Sequence, residues 1–245
     1  ALSFYRAILG WQTSDSIQPG MGYRILRAHD EDSGESHDIA GLMALSDDMK
    51  RGGVRPVWLG YICVDDVDQC LTRILANGGQ LQMPATNIPQ VGRIAMVTDP
   101  HGAPFYVMRG LSDEASLAFA FDKPRVGHCA WNELVTPDPE AAKTFYFSEF
   151  GWSKDGELDM GPMGRYEFIR HNGVIGALIP APEEMPMPMW QYYFRCADID
   201  DACETILQNK GQILHGPDEI PGGDFTVAGI DPQGARFALV GSRRA

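Results

Sequence analysis

The sequence predicts an α+β protein built from repeated modules, in which one strand leads into one helix and then into further strands. Three observations support this prediction. The stretch 126–152 combines a strand, a capped turn and an amphipathic helix. Part of that stretch recurs at the start of the chain, and a related strand–helix pattern begins near residues 58 and 190. A long internal repeat of this kind indicates a duplicated architecture.

The stretch 126–152 has clear signals for each of its elements. Residues 126–134 are of types that suit a pleated strand. Asp138 is placed to accept a bond from the unpaired N–H groups at a helix start, and Pro139 follows where no N–H is needed. Aromatic and small side chains then recur at helical spacing until Gly151, which can adopt the left-handed conformation that ends a helix. We therefore predict a strand followed by a helix here.

The repeat divides the chain into two predicted domains, 1–110 and 125–245, joined by a linker at 111–124. Each domain contains the strand–helix–strands module twice, and the first domain lacks its opening strand. The matching features are Phe-Tyr and Gly-Trp at 4–5/10–11 and 145–146/151–152, Trp58 and Trp190, Asp66 and Asp198, and the Asp-Pro-x-Gly turns at 99 and 231.

Composition and charge exclude several classes of function. The chain has 245 residues and a formal net charge of −13, which argues against a nucleic-acid partner because phosphate binding needs clustered Lys and Arg. No apolar run approaches the roughly 18 residues of a membrane span, and no secretory signal is evident. The five cysteines form no close CxxC pair and suggest reduced thiols. We expect a cytoplasmic protein, either a monomer or a homodimer, with a small-molecule ligand.

These motifs give the chain a resemblance to the vicinal oxygen chelate superfamily, which includes glyoxalase I, bleomycin-resistance proteins and extradiol dioxygenases. The shared features are the Asp-capped helix with Phe-Tyr and Gly-Trp, the helix start at 65–68, and the Asp-Pro-x-Gly turn before a last strand. The chain looks most similar to tandem glyoxalase-like proteins. The resemblance implies paired βαβββ modules that curl a sheet around a cavity, where catalytic members hold a divalent metal.

The resemblance also implies where metal ligands would stand: seven residues before the Asp that starts a helix, and seven after the Asp of the turn. Those positions hold Trp131, Leu59, Gln191, Tyr106 and Ala238. Only Gln191 is a good donor, and Tyr106 is a poor one, whereas a divalent ion needs three or four N, O or S donors. We therefore predict no metal and no other cofactor, and a divalent metal is the alternative.

Strand alternation predicts which side chains line the cavity instead. If Trp131 faces the cavity, Glu133 does so as well, and the same face of other strands carries aromatic and polar groups. Such a lining is typical of a small-molecule pocket. The predicted ligand-binding residues are Trp131, Gln191, Tyr193, Arg195, Arg236, Tyr61 and Tyr106.

Glu133 is the candidate catalytic residue, because burial could raise its pKa and make it a general base. The alternative is a purely structural role, in which Glu133 and Arg195 pair across the cavity and fill it. Three hypotheses follow: a metal-independent protein that binds a small, partly aromatic molecule; a metal-dependent lyase, isomerase or dioxygenase; and a cofactor-free enzyme that uses Glu133 with Arg195.

Other patterns have structural explanations. The aromatic residues of the two Phe-Tyr and Gly-Trp motifs should pack helix on sheet. His128 should face away from Trp131, because three positions separate them on a strand. Residues 180–189 read as a linker between modules, and residues 220–224 resemble a hairpin turn rather than a phosphate loop.

Overall fold

The computed structural model describes residues 1–14, 22–182 and 187–244. The chain forms two compact units. Unit 1 comprises Ala1–Trp58, Ala115–Trp131 and Tyr192–Ala245, and unit 2 comprises Leu59–Glu114 and Asn132–Gln191. Each unit therefore takes segments from both halves of the sequence repeat. The predicted division into 1–110 and 125–245 stays a prediction about the repeat. Residues 183–186, within the linker predicted at 180–189, lie outside the described residues.

Unit 1 contains two series of hydrogen-bonded strands. One is an antiparallel sheet with the spatial order Gln12–Ser14 (β1), Tyr23–Asp30 (β2) and Glu35–Met43 (β3). The other has the spatial order Gln212–Glu219 (β13), Phe225–Ile230 (β14), Arg236–Gly241 (β15) and Met189–Arg195 (β12), whose residues from Tyr192 onward belong to this unit.

Unit 2 contains two series of four strands. The first has the spatial order Tyr61–Cys63 (β4), Pro104–Gly110 (β7), Gly92–Thr98 (β6) and Gln80–Ile88 (β5). The second has the spatial order Cys129–Thr136 (β8), Val174–Pro180 (β11), Arg165–Arg170 (β10) and Ser153–Asp159 (β9), with β8 belonging to unit 2 from Asn132.

The pairing pattern repeats from module to module. The opening strand pairs in parallel with the last strand of its own module in β4–β7, β8–β11 and β12–β15. The pairs β5–β6, β6–β7, β9–β10, β10–β11, β13–β14 and β14–β15 are antiparallel. One helix follows each opening strand: Val67–Ala76 (α3), Pro139–Phe150 (α4) and Ile199–Gln208 (α5). The predicted α+β class with repeated strand–helix–strands modules is confirmed.

Aspartate caps start these three helices where the sequence predicts them. The carboxylates of Asp66, Asp138 and Asp198 accept hydrogen bonds of 3.0 Å from backbone N–H groups in the first turn of α3, α4 and α5. These N–H groups have no partner within the helix, so each cap stabilises its helix start.

The first helix, Leu2–Leu9 (α1), ends in the same way as α4. Gly10 and Gly151 follow the two helices with φ values of 69° and 66°, in the left-handed region where glycine has no steric penalty. Each glycine N–H donates back to a carbonyl of the last helical turn.

The two Asp-Pro-x-Gly turns are organised by their aspartates. Oδ1 of Asp99 accepts from the N–H groups of His101 and Ala103, both at 2.9 Å. Oδ1 of Asp231 accepts from the N–H groups of Gln233 and Ala235 at 2.8 and 3.0 Å. A short side chain that hydrogen-bonds its own backbone two residues on fixes such a turn, and the motif stands before the last strands β7 and β15.

The core of unit 1 is built around Tyr5. Its ring stacks on Trp11 at 5.4 Å and lies edge-on to Phe237 at 5.8 Å. Its hydroxyl accepts from Nε1 of Trp58 at 2.9 Å and donates to Oδ2 of Asp231 at 3.2 Å. Burial raises the pKa of Tyr5, so the phenol stays protonated and acts as a donor.

Unit 2 repeats this arrangement around Tyr146. Its ring stacks on Trp152 at 5.7 Å. Its hydroxyl accepts from Nε1 of Trp190 at 3.0 Å and donates to Oδ2 of Asp99 at 3.3 Å. The prediction that the aromatic residues of the repeated motifs pack helix on sheet is confirmed in both units.

The structure adds elements that the sequence analysis did not predict. The polar residues 46–56 contain a short helix, Asp47–Arg51 (α2), which Ser46 caps by accepting from the N–H of Met49. The strands β1 and β9 were also missed. Both follow a Gly-Trp motif and are largely exposed, so their side chains give little apolar alternation.

None of the five cysteines forms a disulfide. Within the described ranges, no helix is long and apolar enough to cross a membrane.

Candidate functional site

The clearest candidate site in unit 2 is a pair of stacked tyrosines. Tyr61 on β4 lies opposite Tyr106 on β7, and their rings stack with centroids 4.6 Å apart and planes 10° from parallel. Phe105 and Val107, the neighbours of Tyr106 on β7, are buried in the core. Because side chains alternate along a strand, the tyrosines lie on the other face of the strands. Tyr61 is 47% exposed.

Tyr106 is the inner member of this pair. Burial raises its pKa above that of an ordinary tyrosine, because removal from water penalises the phenolate. The pair therefore offers neutral aromatic surface, and the predicted site residues Tyr61 and Tyr106 are brought together.

Glu133 lies on β8, where it is opposite Ala177 of β11. Its Oε2 accepts a 2.8 Å hydrogen bond from the hydroxyl of Tyr166 on β10. The ring of Tyr166 in turn meets Phe168 edge-on at 5.8 Å. The sequence analysis missed Tyr166 and Phe168, although they alternate in β10 with Glu167 and Ile169, which are buried.

Gln191 is half-buried on β12. Its neighbour Trp190 is buried and bonded to Tyr146, so alternation directs Gln191 to the opposite face. A role of Gln191 in ligand binding stays a prediction.

In unit 1, Tyr193 and Arg195 of β12 lie opposite Ala238 and Val240 of β15. Phe194 alternates with them and belongs to the core, so Tyr193 and Arg195 share the other face. Arg236 lies two residues before Ala238 and is exposed at the start of β15. These residues are on one face as predicted, and their contact with a ligand stays a prediction.

Arg195 has a partner that the sequence analysis did not identify. Its Nη1 and Nη2 donate to the two carboxylate oxygens of Asp224 at 2.8 and 3.1 Å. This two-bond geometry suits a guanidinium and a carboxylate particularly well. Asp224 ends the segment 220–224 predicted as a hairpin turn, which does join β13 to β14. The suggested pairing of Arg195 with Glu133 stays a prediction. In the structure Arg195 bonds to Asp224, and Glu133 bonds to Tyr166.

Trp131, the remaining predicted site residue, is half-buried on β8 and belongs to unit 1. The thiol of Cys129 donates to its carbonyl at 3.4 Å. Burial raises the pKa of Cys129 to about 12, so the thiol is protonated and is a poor ligand or nucleophile.

The residues at the metal-ligand positions of the superfamily supply too few donors for a metal, because only Gln191 among the five is a good donor. Leu59 and Trp131 have no lone pair to offer, and Ala238 is 0% exposed beside Tyr193. Tyr106 is held neutral by burial. In the ranges 1–14, 22–182 and 187–244, no three His, Cys, Asp or Glu side chains are grouped so that they could hold a metal ion.

His128 is fully buried and has a structural contact. Its Nδ1 lies 2.6 Å from the carbonyl oxygen of Leu117. Because a carbonyl only accepts, Nδ1 is the donor and Nε2 carries the lone pair of the neutral ring. Nε2 is buried and finds no hydrogen-bond partner among the described residues. The ring of His37 lies edge-on to it at 5.7 Å.

Comparison with known families identifies the class of protein. The profile of the Glyoxalase/Bleomycin resistance protein/Dioxygenase superfamily matches residues 1–107 and 125–239. The two matched segments correspond to the two halves of the sequence repeat. The chain belongs to this superfamily, as its motifs and its repeated modules indicate.

Individual relatives match over almost the whole chain. The protein named "Putative glyoxylase CFP32" of Mycobacterium bovis is 30% identical over 247 residues, which cover 98% of this chain and 88% of the relative. The protein of the same name in Mycobacterium tuberculosis gives the same values. The "Anthracycline biosynthesis protein DnrV" of Streptomyces peucetius is 26% identical over 97% of this chain and 86% of its own length.

Solved structures share the fold at low sequence identity. A homoprotocatechuate 2,3-dioxygenase from B. fuscum matches with a TM-score of 0.63 and 17% identity, over 99% of this chain and 67% of the dioxygenase. The Mn(II)-bound glyoxalase from Novosphingobium aromaticivorans matches with a TM-score of 0.57 and 15% identity, over 99% of this chain and 77% of the glyoxalase.

Proposed function

We propose that the chain binds a small, flat, partly aromatic organic molecule on the tyrosine-bearing face of unit 2, without the metal site usual in its superfamily. The observation that carries this proposal is the stacked pair of Tyr61 and Tyr106, of which Tyr61 is 47% exposed. An aromatic ligand that stacks on an exposed ring gains apolar contact and a favourable ring geometry.

The chemistry of other residues in unit 2 supports the same proposal. A small-molecule pocket combines aromatic lining with a few polar groups that fix the orientation of the ligand. Unit 2 supplies the rings of Tyr61 and Tyr106 on β4 and β7, and the Glu133–Tyr166 hydrogen bond across β8 and β10. Of the five positions where metal-dependent relatives would need ligands, Leu59, Trp131 and Ala238 offer no donor, Tyr106 offers a poor one and Gln191 a good one.

The relatives suggest which ligands to test first. One relative is named for anthracycline biosynthesis, and two others are named as glyoxylases. We therefore propose a panel led by planar polycyclic aromatics, with small carbonyl compounds as the comparison set.

The test is a thermal-shift screen of this panel, followed by calorimetric titration of each compound that raises the melting temperature. The variant Tyr61→Ala should abolish or strongly weaken binding, whereas Tyr61→Phe should keep it, because the ring remains. Phe121→Ala is the matched control, because Phe121 is also an exposed aromatic residue but belongs to unit 1. A panel in which no compound raises the melting temperature would overturn the proposal, as would binding that Tyr61→Ala leaves unchanged.

Metal content distinguishes this proposal from a metal-dependent lyase, isomerase or dioxygenase. Protein purified without chelators should contain far less than one equivalent of Ni, Zn, Fe or Mn, and added metal should not change the affinity for the ligand. A stoichiometric metal would favour the metal-dependent alternative.

The second candidate function is a cofactor-free enzyme in which Glu133 acts as a general base. The Tyr166 hydroxyl holds the carboxylate of Glu133 in a defined orientation, which proton transfer requires. If a panel compound is converted, Glu133→Gln should abolish turnover while leaving the melting temperature close to that of the wild type. Unchanged turnover in this variant would exclude Glu133 as the base.

A further inference from the structure

We propose that the ligand of unit 2 is an elongated molecule, whose aromatic ring stacks on the two tyrosines while an apolar extension lies across Met96 and Met83. The inference rests on the proposed function, because it concerns the same face of unit 2. It adds the shape and polarity of the ligand, and it assigns specificity to two methionines that the sequence analysis did not consider.

One row of side chains crosses all four strands of the sheet β4–β7–β6–β5. Tyr61 on β4 is opposite Tyr106 on β7, and Tyr106 is opposite Met96 on β6. Met96 is in turn opposite Met83 on β5. Opposite residues on paired strands project from the same face and are close enough to contact each other. Since paired strands lie roughly 4.8 Å apart, the row is about 14 Å long.

The two methionines are accessible on the tyrosine-bearing face. Ala95 and Val97, the neighbours of Met96 on β6, are buried in the interior. Alternation along the strand therefore directs Met96 to the other face, which is the face of Tyr106. Met96 and Met83 are both only half-buried, so a molecule bound at the tyrosines can reach them.

Unit 1 has the same row with different side chains. The sequence repeat places Ala228 where unit 2 has Met96. It places His215 where unit 2 has Met83. Ala228 is opposite His215 on one side and Ala238 on the other, so the row is formed by the same strand pairing. The sheet thus forms without methionine in this row, and the fold alone does not account for the two methionines of unit 2.

Methionine suits contact with an apolar group of variable shape. Its unbranched side chain rotates about three bonds, and its polarisable sulfur contacts aromatic rings favourably. Ile94 and Met108, which are opposite each other and half-buried, widen the apolar surface beside the row. A thioether is only a weak hydrogen-bond acceptor and has no donor, so a polar extension would gain little there. The row therefore favours an apolar extension.

The experiment uses three neutral probes that share one ring system: N-methyl-, N-propyl- and N-pentyl-2-naphthamide. They differ in the length of the apolar chain, and their dissociation constants for the wild type are measured by calorimetry. Each methylene that leaves water should tighten binding by up to about fourfold. We expect the N-pentyl compound to bind at least about tenfold more tightly than the N-methyl compound.

The variants assign this gain to its residues. Met96→Ala and Met83→Ala should each reduce the ratio of N-pentyl to N-methyl affinity, and the double variant should bring it close to one. Met96→Leu should keep the ratio, because leucine supplies a similar apolar area. Met43→Ala is the matched control, because Met43 is an exposed methionine of unit 1, and it should leave the ratio unchanged.

A ratio is a sharper measure than a single affinity, because a merely structural defect weakens all three probes alike. Met96→Ala introduces the residue that unit 1 has at the equivalent place, so the sheet should tolerate it. Met83→Ala lies on the edge strand β5 and tests the same inference even if Met96→Ala folds poorly.

The possible failures are distinguishable. If none of the three probes binds to the wild type, the proposed function fails and this inference fails with it. If all three bind with equal affinity, the face binds aromatic molecules but the proposed extension is wrong. If the gain with chain length survives in the double variant, the extension lies on other residues and the role assigned to Met96 and Met83 is wrong.

Discussion

The hydroxyl of Tyr5 donates a 3.2 Å hydrogen bond to Asp231, which lies 226 positions further along the chain. The same aspartate organises its own turn through its other carboxylate oxygen, which accepts from two backbone N–H groups. One side chain therefore fixes a turn and ties it to a helix from a distant segment. Tyr146 and Asp99 form the equivalent link in unit 2 at 3.3 Å.

This link predicts the effect of removing one hydroxyl. Tyr5→Phe removes the donor to buried Asp231 and the acceptor for Trp58, so both are left with one hydrogen bond fewer. We expect a loss of roughly 1–3 kcal/mol in the free energy of unfolding, measured by urea denaturation. Tyr146→Phe should cost a similar amount, because its contacts are equivalent. An unchanged urea midpoint in both variants would contradict this interpretation.

Two glycines at similar places in the repeat should respond differently to alanine. A Cβ at Gly176 would lie 2.0 Å from the backbone oxygen of Asn132 on the paired strand, which cannot move without disturbing β8. The three atoms nearest to a Cβ at Gly41 all belong to the outer end of the Tyr23 side chain, which can rotate away.

We expect Gly176→Ala to destabilise the protein by about 1–3 kcal/mol or more, as overpacking does. Gly41→Ala should cost clearly less. The measurement is the melting temperature of each variant by calorimetry, and an equal loss in both would show that Tyr23 is as rigid as the backbone.

The stability of the protein should depend on pH through His128. Burial is the main cause that lowers the pKa of His128 below its ordinary value, and the nearby charge of Arg125 acts in the same direction. The unfolded chain then binds more protons than the folded chain between the lowered pKa and about 6.5. The contribution of His128 to stability is therefore present above pH of about 6.5 and is lost as the pH falls through this window.

The test replaces His128 by Asn, whose amide can still donate to the carbonyl of Leu117. His128→Asn should reduce the difference between the urea midpoints at pH 7.5 and pH 5.5, even if it lowers both. His171→Asn is the control, because His171 is exposed, and it should leave that difference as in the wild type.

The thiols should separate into one reactive group and four slow ones. Cys63 is exposed, whereas burial raises the pKa of Cys70 to about 11 and that of Cys196 to about 12. A thiol reagent should label one site rapidly in the native protein, and Cys63→Ser should remove this rapid phase.

The same reagent gives a second test of the ligand site. Cys63 lies two residues after Tyr61 on β4, so both side chains are on one face of the strand. A ligand stacked on Tyr61 and Tyr106 should slow the labelling of Cys63. Rapid labelling that is unaffected by a saturating ligand would place the ligand elsewhere.

The local parts of the fold could be predicted from the sequence because their causes are local. Asp138 caps a helix through the N–H of Ala141, three residues away, and Gly151 ends it with its own backbone angles. The Asp-Pro-x-Gly turns depend on contacts within five residues. Alternation along strands also gave the correct shared face for Tyr61 with Tyr106, because that pattern has a fixed period.

The remaining parts depend on contacts that no local pattern encodes. The carboxylate that binds Arg195 lies 29 positions away in Asp224, at the end of a turn whose residues give no sign of their partner. Tyr166 reaches Glu133 across 33 positions. The division into units was also beyond the sequence analysis, because a repeat shows which segments are similar and not which segments pack together.

The way in which chain segments are shared between the units determines when each unit can fold during synthesis. All of unit 2 lies between Leu59 and Gln191, so a ribosome has made every residue of it before it reaches Tyr192. Ala1–Trp58 belongs instead with Tyr192–Ala245, which is translated after all of unit 2. Ala1–Trp58 must therefore wait, with the apolar side chains of α1 exposed to chaperones, until Tyr192–Ala245 has been made.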